Sequence, residues 1–277
     1  MFIANAGDNF WYNGLYVCPD VDILLYSLSG SLDVSKGWGV DSDTFNVRGT
    51  TSQFQGFPSW FSLGDRDLAL SLRRTELIQG GWRLSSITSA FSSIFGIRDV
   101  VIPSTDDRLE TFLQTNLGQL HLQEFWVKNK GSLKVQNVHY SGLNEASPNP
   151  RFAENVESKV ILCPANPITS ILPIISLKGI NEKLKRARVA AVSPFIGTSP
   201  ISGPAGRIME ALKLETSSAG VASLYSNFLD ILVVDSSDDR EIIRRIMDEG
   251  MECLVTKTIV KSSEDEISLA REIVGIL

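Results

Sequence analysis

Asp20 and Asp22 stand two residues apart just after Cys18-Pro19, where a helical pattern begins, and they are the first groups in the chain fit for chemistry. Two carboxylates in that place suit a divalent cation or the orientation of an alcohol. They suit equally well the capping of a helix by Asp20, with Asp22 merely exposed. Gly64-Asp65-Arg66-Asp67 then packs two carboxylates around an arginine, which serves either a polar ligand contact or an ion pair that fixes a loop. Asp106 and Asp107 either line a cleft or cap the segment that follows. In the second half, Asn166 opens the run Asn166-Pro167-Ile168-Thr169-Ser170, and Ser193 leads to a stretch of small residues from Gly197 through Ser202 and Gly203 to Ala205. Free amides ahead of a helix can surround a phosphate, because the first helical turn leaves its N–H groups unpaired. Tight turns use the same residues. His121 and His139 sit in strand-like surroundings and read as structural or surface histidines. The order Ser-His-Asp does not stand out, and Cys18, Cys163 and Cys253 are too widely spaced for a metal pattern, so they read as free thiols.

The elements that must carry these groups change in kind along the chain. Apolar residues at helical spacing predict a helix over Val21–Leu32, another from near Asp67 and a third over Leu84–Phe95. Val100–Ile102 reads as a short strand, and Thr111–Thr115 with Gln119–Val127 as a hairpin around Asn116-Leu117-Gly118. Val135–His139 adds a further strand, so an antiparallel patch is expected between α/β elements. A soft boundary falls at 147–150, within an otherwise single domain spanning 1–277. From Val160 the pattern becomes regular. Strands Val160–Leu162, Val189–Val192, Leu229–Val234 and Cys253–Thr256 alternate with helices such as Ala205–Leu212, Val221–Phe228, Asp239–Glu249 and Glu264–Ile276. Such alternation predicts an α/β fold with a mostly parallel sheet covered by helices on both faces. Ligands in these sheets sit beyond the carboxyl ends of the strands, which is where Asn166, Ser193, Gly197 and Asp235 fall.

Composition narrows the function classes. The 277 residues carry a formal charge of −6, which speaks against general nucleic-acid binding. No run of 18 apolar residues predicts a membrane span, and the start lacks the pattern of a signal peptide. Free thiols fit a cytoplasmic protein. Neither G-x-G-x-x-G nor G-x-x-x-x-G-K-[ST] occurs near the front. Met1–Gly7 reads as the end of an apolar strand entering a polar loop.

Taken in order, the strings CPDVDILLYSLSG, KGWGVDSDTF, LGDRDLALSLRRTELI, IPSTDD, HLQEFW, CPANPITSILPIISLKGI, AVSPFIGTSPISGPAGRIM and SAGVASLYSNFLD resemble the 2-phospho-L-lactate transferase family of coenzyme F420 biosynthesis across essentially the whole chain. The resemblance implies a Rossmann-like α/β core and a homodimer. It also implies transfer of the 2-phospholactyl group from lactyl-2-diphospho-5′-guanosine to the deazaflavin Fo, with Mg²⁺, giving F420-0 and GMP. Some relatives use the phosphoenolpyruvyl counterpart. Residue by residue, Asp22 matches the second aspartate of the family's PDxD motif and Arg66 the arginine of its GDRD motif, both implied contacts of Fo. Asp20 is implied as a metal partner alongside Asp22. Asn166, Ser193, Gly197 and Gly203 fall in segments implied to hold the guanosine diphosphate donor. Trp11, Tyr12, Trp38 and Trp60 either stack on a planar deazaflavin or pack the core. Relatives carry a strand and an SGGTG-type phosphate loop before the segment matching Ile3–Phe10, so about thirty residues of the family pattern are expected ahead of Met1, through a start placed too late or a shortened chain. Two rivals remain at this point. One is a nucleotide-sugar-binding regulator of the wider fold family, and the other is an enzyme using a nicotinamide cofactor.

Overall fold

The computed structural model describes residues 1–156, 158–201 and 203–277. It divides into two compact units. The first comprises Met1–Leu113, Leu117–Leu133 and Val138–Phe152, and the second Gln114–Asn116, Lys134–Asn137 and Ala153–Leu277.

The first unit begins with β1 (Phe2–Ala4), followed by the polar loop 5–9 and a hairpin of β2 (Phe10–Tyr12) and β3 (Leu15–Val17). Asn13 and Gly14 form the hairpin turn at φ +50° and +81°. That is the double positive-φ geometry for which Asn-Gly is the preferred pair. Helix α1 (Pro19–Leu28) follows at once, with Pro19 in its first turn. It stops four residues short of the expected end. Gly30 adopts φ +71°, and Leu32 leaves the helix to bridge Val40. Short α2 (Asn46–Thr51), then α3 (Asp65–Gln79) and α4 (Leu84–Ile94), lead to β4 (Val101–Pro103), which pairs with β1 in parallel. Ala4, Val21, Leu25, Ile87, Phe91 and Val101 close the core between these strands, α1 and α4. Each large aliphatic or aromatic side chain buried there contributes about 1.5–3 kcal/mol, which fixes the ends of β1 and β4 and the loops that leave them.

Strands β5 (Glu110–Thr115), β6 (Gly118–His121) and β7 (Val135–Ser141) form a three-stranded sheet in the order β6-β5-β7. The expected strand over Gln119–Val127 is cut short at His121. Glu124–Lys128 is a π-helical turn that buries Phe125 and leaves Trp126 exposed. Short apolar runs do not distinguish strand from helix by period alone. Beyond β7, Gly142 takes φ +85° where a Cβ would stand 2.1 Å from the Arg108 carbonyl oxygen. Gly142→Ala is expected to lower stability by about 1–3 kcal/mol from the backbone conformation alone, with the clash adding to it. A chemical denaturation midpoint equal to that of the parent would contradict this.

Helix α5 (Pro150–Asn155) leads to the second unit, whose sheet has four parallel strands: β8 (Lys159–Leu162), β9 (Arg188–Val192), β12 (Ile231–Asp235) and β13 (Glu252–Thr256), ordered β13-β12-β9-β8. Between β8 and β9 run a π-helical turn (Pro167–Ile171), α6 (Leu172–Ile175) and α7 (Ile180–Leu184). Between β9 and β12 lie the two-residue strands β10 (Phe195–Ile196) and β11 (Ser199–Pro200), α8 (Ala205–Ala211) and α9 (Ser218–Tyr225). Helices α10 (Arg240–Asp248) and α11 (Ser263–Ile276) complete the unit. All five residues of β12 are buried, whereas edge strands β8 and β13 alternate with solvent. Central parallel strands covered on both faces give this pattern. The chain is thus a mixed α/β protein with parallel and antiparallel sheets. Among the described residues no helix is long and apolar enough to cross a membrane.

Candidate active site

Two buried carboxylates, Asp8 and Asp22, and the half-buried Asp20 lie at the ends of β1 and β3 and in the first turn of α1. In the loop after β1, Asn5 Oδ1 accepts the Gly7 N–H at 2.7 Å and Asn5 Nδ2 donates to Asp8 Oδ1 at 2.9 Å. The Ser104 hydroxyl, past the end of β4, accepts the Ala6 N–H at 3.2 Å. The loop therefore fixes the Asp8 carboxylate against Asn5. Burial raises the Asp8 pKa well above the carboxylate norm, the Asp20 charge raises it further, and Asn5 opposes both. Asp20, half-buried, is pushed up to about 6 by burial, again against Asn5.

Asp22 has a different partner. Its carboxylate accepts a hydrogen bond from Arg74 Nη2 in an ion pair whose arginine side chain is 1 % exposed. Arg74 also donates to the Tyr16 carbonyl at 3.3 Å and lies over the Phe91 ring, 5.6 Å from its centroid. Burial lifts the Asp22 pKa to about 6 despite Arg74, with the Asp67 charge adding to the rise. Burial works against the Arg74 charge, but Asp22 holds the guanidinium protonated. Asp20 and Asp22 face different neighbours because residues two apart on a helix do not share a face. Both carboxylates read from the sequence as metal partners lie in the first turn of α1, where Asp22 is paired with Arg74.

The GDRD segment opens α3 and divides its labour. Asp65 accepts from the Thr44 hydroxyl at 2.6 Å and from the Asn46 and Val47 N–H groups at 3.0 and 3.1 Å. Asp67 accepts the Gly64 N–H at 3.1 Å, and its pKa rises with burial. Both carboxylates secure the helix start and the 44–47 segment. The Arg66 side chain is exposed, with one contact of 3.4 Å to the Asp41 carbonyl, so its guanidinium is open to a ligand. Asp106 caps α4 through Ser85, with N–H and hydroxyl contacts of 2.6 and 2.8 Å. Asp107 accepts the Ser147 N–H at 2.8 Å. Both are staples within the first unit.

In the second unit, the expected donor-side residues lie at the carboxyl ends of the parallel strands. Asn166 Oδ1 accepts the N–H groups of Ile168 and Thr169 at 3.0 and 3.3 Å, while its buried Nδ2 has no hydrogen-bond partner among the described residues. Ser193 is fully buried and engaged. Its hydroxyl meets Ser218 Oγ at 2.9 Å and accepts the Phe195 N–H at 3.1 Å. Ser218 donates to Asp238 Oδ2 at 3.0 Å, and Asp238 Oδ1 accepts the Gly197 N–H. Ser193 thus shapes the 195–203 loop rather than facing it. Gly197 and Gly203 adopt φ +59° and +71° in open space. Ser202, in the same run, lies outside the described residues. Asp235 is occupied by Ser237 N–H and by Thr258 N–H and hydroxyl, at 2.9, 2.9 and 3.1 Å. Asp238→Ala is expected to cost about 1–3 kcal/mol, the usual result of orphaning buried donors, and to expose the 195–203 loop to proteases. A parent-like cleavage rate would count against this role.

Sequence reasoning missed Asp8, Arg74 and Asp238. Asp8 had a local signal, an acidic residue in a loop leaving a strand. Arg74 had none, since its meaning depends on which helix α3 meets.

Such geometry defines a mixed α/β protein with a cluster of carboxylates where β1 and β3 meet the start of α1. The sequence matches the family signature described as 2-phospho-L-lactate transferase CofD over residues 1–269. It is 40% identical over 278 residues to the 2-phospho-L-lactate transferase of Methanosarcina acetivorans, covering 99% of this chain and 89% of that protein. It is 38% identical to that of Methanocaldococcus jannaschii, with 98% and 88% covered. In structure it is similar to a UPF0052 family protein from Bacillus halodurans, with a TM-score of 0.59 at 14% identity over 98% of this chain and 89% of that one. That likeness concerns the fold alone. The chain belongs to the 2-phospho-L-lactate transferase family.

Proposed function

We propose that the chain transfers the 2-phospho-L-lactyl group from lactyl-2-diphospho-5′-guanosine to Fo, yielding coenzyme F420-0 and GMP. In this reading it is a cytoplasmic, Mg²⁺-dependent homodimer with a single Rossmann-like core. The observation that carries the proposal is the match to the transferase family across residues 1–269. The terminal hydroxyl of the Fo side chain forms a bond to the phosphorus that carries lactate, and the bond from that phosphorus to the GMP oxygen breaks in line with it. The hydroxyl proton passes to solvent as negative charge gathers on the phosphoryl oxygens.

Two close carboxylates fit Mg²⁺, which is commonly bound by one or two carboxylates together with substrate phosphates. Asp8 and Asp20 would hold it, and when bound the ion would neutralise diphosphate charge. Among the described residues no group of three or more His, Cys, Asp and Glu gathers as a metal centre, which leaves the remaining positions to phosphate and water. Asp22, fixed by Arg74, orients the attacking hydroxyl, and Arg66 offers an exposed guanidinium to Fo. Asn166 Nδ2 serves the donor phosphates.

Mass spectrometry of the chain with Fo, lactyl-diphosphoguanosine and Mg²⁺ should show F420-0 and GMP in equal amounts. The phosphoenolpyruvyl donor provides a second arm. Absence of both products from folded protein, with tight binding of a UDP-sugar, would replace the proposal by the regulator reading.

A further inference from the structure

Thr75 has no part in the chemistry described above, yet it is 5 % exposed and its hydroxyl is engaged twice. It donates to the Ser71 carbonyl, one turn earlier in α3, at 2.7 Å and accepts the Tyr16 N–H of β3 at 2.8 Å. The carbonyl of the same Tyr16 accepts from Arg74 at 3.3 Å. Strand β3 belongs to a two-stranded hairpin, so one of its edges carries main-chain groups that no strand pairs. Two adjacent side chains of α3 take both polar groups of Tyr16 there, as a further strand would. A helical threonine commonly spends its hydroxyl on a carbonyl three or four residues back. Thr88 in α4 shows that use, donating to the Leu84 carbonyl at 2.9 Å. Thr75 adds to it a contact outside its own helix.

The contact lies just ahead of the carboxylates. Strand β3 ends at Val17 and α1 begins at Pro19. Cys18 between them gives the helix no side-chain cap, and its carbonyl accepts the Asp22 N–H at 3.0 Å. The start of α1 therefore takes its place from β3, and from Arg74, which binds both the Tyr16 carbonyl and Asp22. Cys18 and Val21 are packed in the core with Ala4 and Ile87. Close-packed interiors transmit a shift rather than absorb it, so a movement of Tyr16 reaches Asp20 and Asp22 in the first turn.

We propose that Thr75 is a positioning residue for the transfer. Through the Tyr16 main chain it fixes the junction of β3 and α1, and with it the Asp20 and Asp22 carboxylates. The inference rests on the transferase reading, in which those carboxylates serve the transferred group. A misplacement of about 1 Å costs on the order of 100-fold in rate, so one hydroxyl that touches no substrate registers in turnover.

The test compares Thr75→Val, Thr75→Ser and Thr88→Val in the F420-0 assay, each at a temperature where urea denaturation shows it fully folded. Thr75→Val keeps the shape of the side chain and leaves the Tyr16 N–H without its acceptor. It should lower kcat about tenfold or more, with the KM for Fo within about twofold. Thr75→Ser retains the hydroxyl and should hold kcat within about twofold of the parent. Thr88→Val loses a hydroxyl that bonds within its own helix and should keep the parent kcat. A role in stability alone would make the two valine variants alike. Amide hydrogen exchange gives a second reading: residues 16–22 should exchange faster in Thr75→Val and at the parent rate in Thr75→Ser. Parent kcat in Thr75→Val, or equal losses in Thr75→Ser and Thr75→Val, would overturn the proposal and leave the transferase reading standing. If the folded parent forms no F420-0, the transferase reading falls, and exchange over residues 16–22 alone decides whether Thr75 holds the junction.

Discussion

Replacing Arg74 by Met should cost about 3–5 kcal/mol of folding stability, because it strands the Asp22 carboxylate in the interior. Asp22→Asn should also destabilise, by leaving the guanidinium without its counter-charge. On the sequence alone, Asp22→Asn is expected to lower turnover far more than folding stability. The buried pair with Arg74 alters that expectation. The pair Asp22→Leu/Arg74→Met removes both charges and should recover a large part of the loss, since well-packed apolar residues often replace a buried ion pair without penalty. Urea denaturation of the four proteins closes the cycle. If the double variant is as unstable as the sum of the singles, Asp22 and Arg74 are not coupled. If the recovered double variant turns over Fo at the parent rate, Asp22 does not orient the acceptor.

Asp8→Asn and Asp20→Asn should each lower turnover at least about 100-fold, equivalent to about 2.7 kcal/mol of lost transition-state stabilisation. Neither should reduce stability in metal-free buffer. The reason lies in linkage. Asp20 has a folded pKa of about 6 against an ordinary 3.8. Between those values the unfolded chain has released a proton that the folded chain keeps, so stability falls as pH rises through this window and levels off above it. The thermal midpoint in EDTA should therefore drop between about pH 4 and pH 6. Below that window Asp65, Asp235, Asp265 and Glu215, whose pKa values are lowered, lose their contributions as they protonate. A maximum near pH 4 is the expected result. Adding Mg²⁺ at pH 7.5 should raise the midpoint of the parent and leave Asp8→Asn unmoved. A parent indifferent to Mg²⁺ would remove the ion from this pair, whatever the activity shows.

Much of the chain's organisation can be read from local pattern. Strands β9, β12 and β13 and helices α4, α8, α10 and α11 fall within a few residues of their apolar runs, because a strand buried on both faces and a helix with one apolar stripe each leave a periodic trace. The order of the family motifs is likewise a property of the sequence, and it gives the family before any coordinate is known. The Asn13-Gly14 hairpin is legible in the same way, because Asn-Gly is the preferred pair for its double positive-φ turn.

Tertiary structure decided the pairings. Asp20 and Asp22 are near neighbours in sequence, yet helical geometry turns one toward the loop after β1 and the other toward α3. Arg74 lies 52 residues from the carboxylate it neutralises. Ser193, Ser218 and Asp238 become one network only where β9 and β12 lie side by side. Residue type fixes what charge and hydrogen bonds each group can offer, and local spacing fixes which face of an element carries it. Which partner meets it there depends on chain closure over tens of residues, and no local period records that.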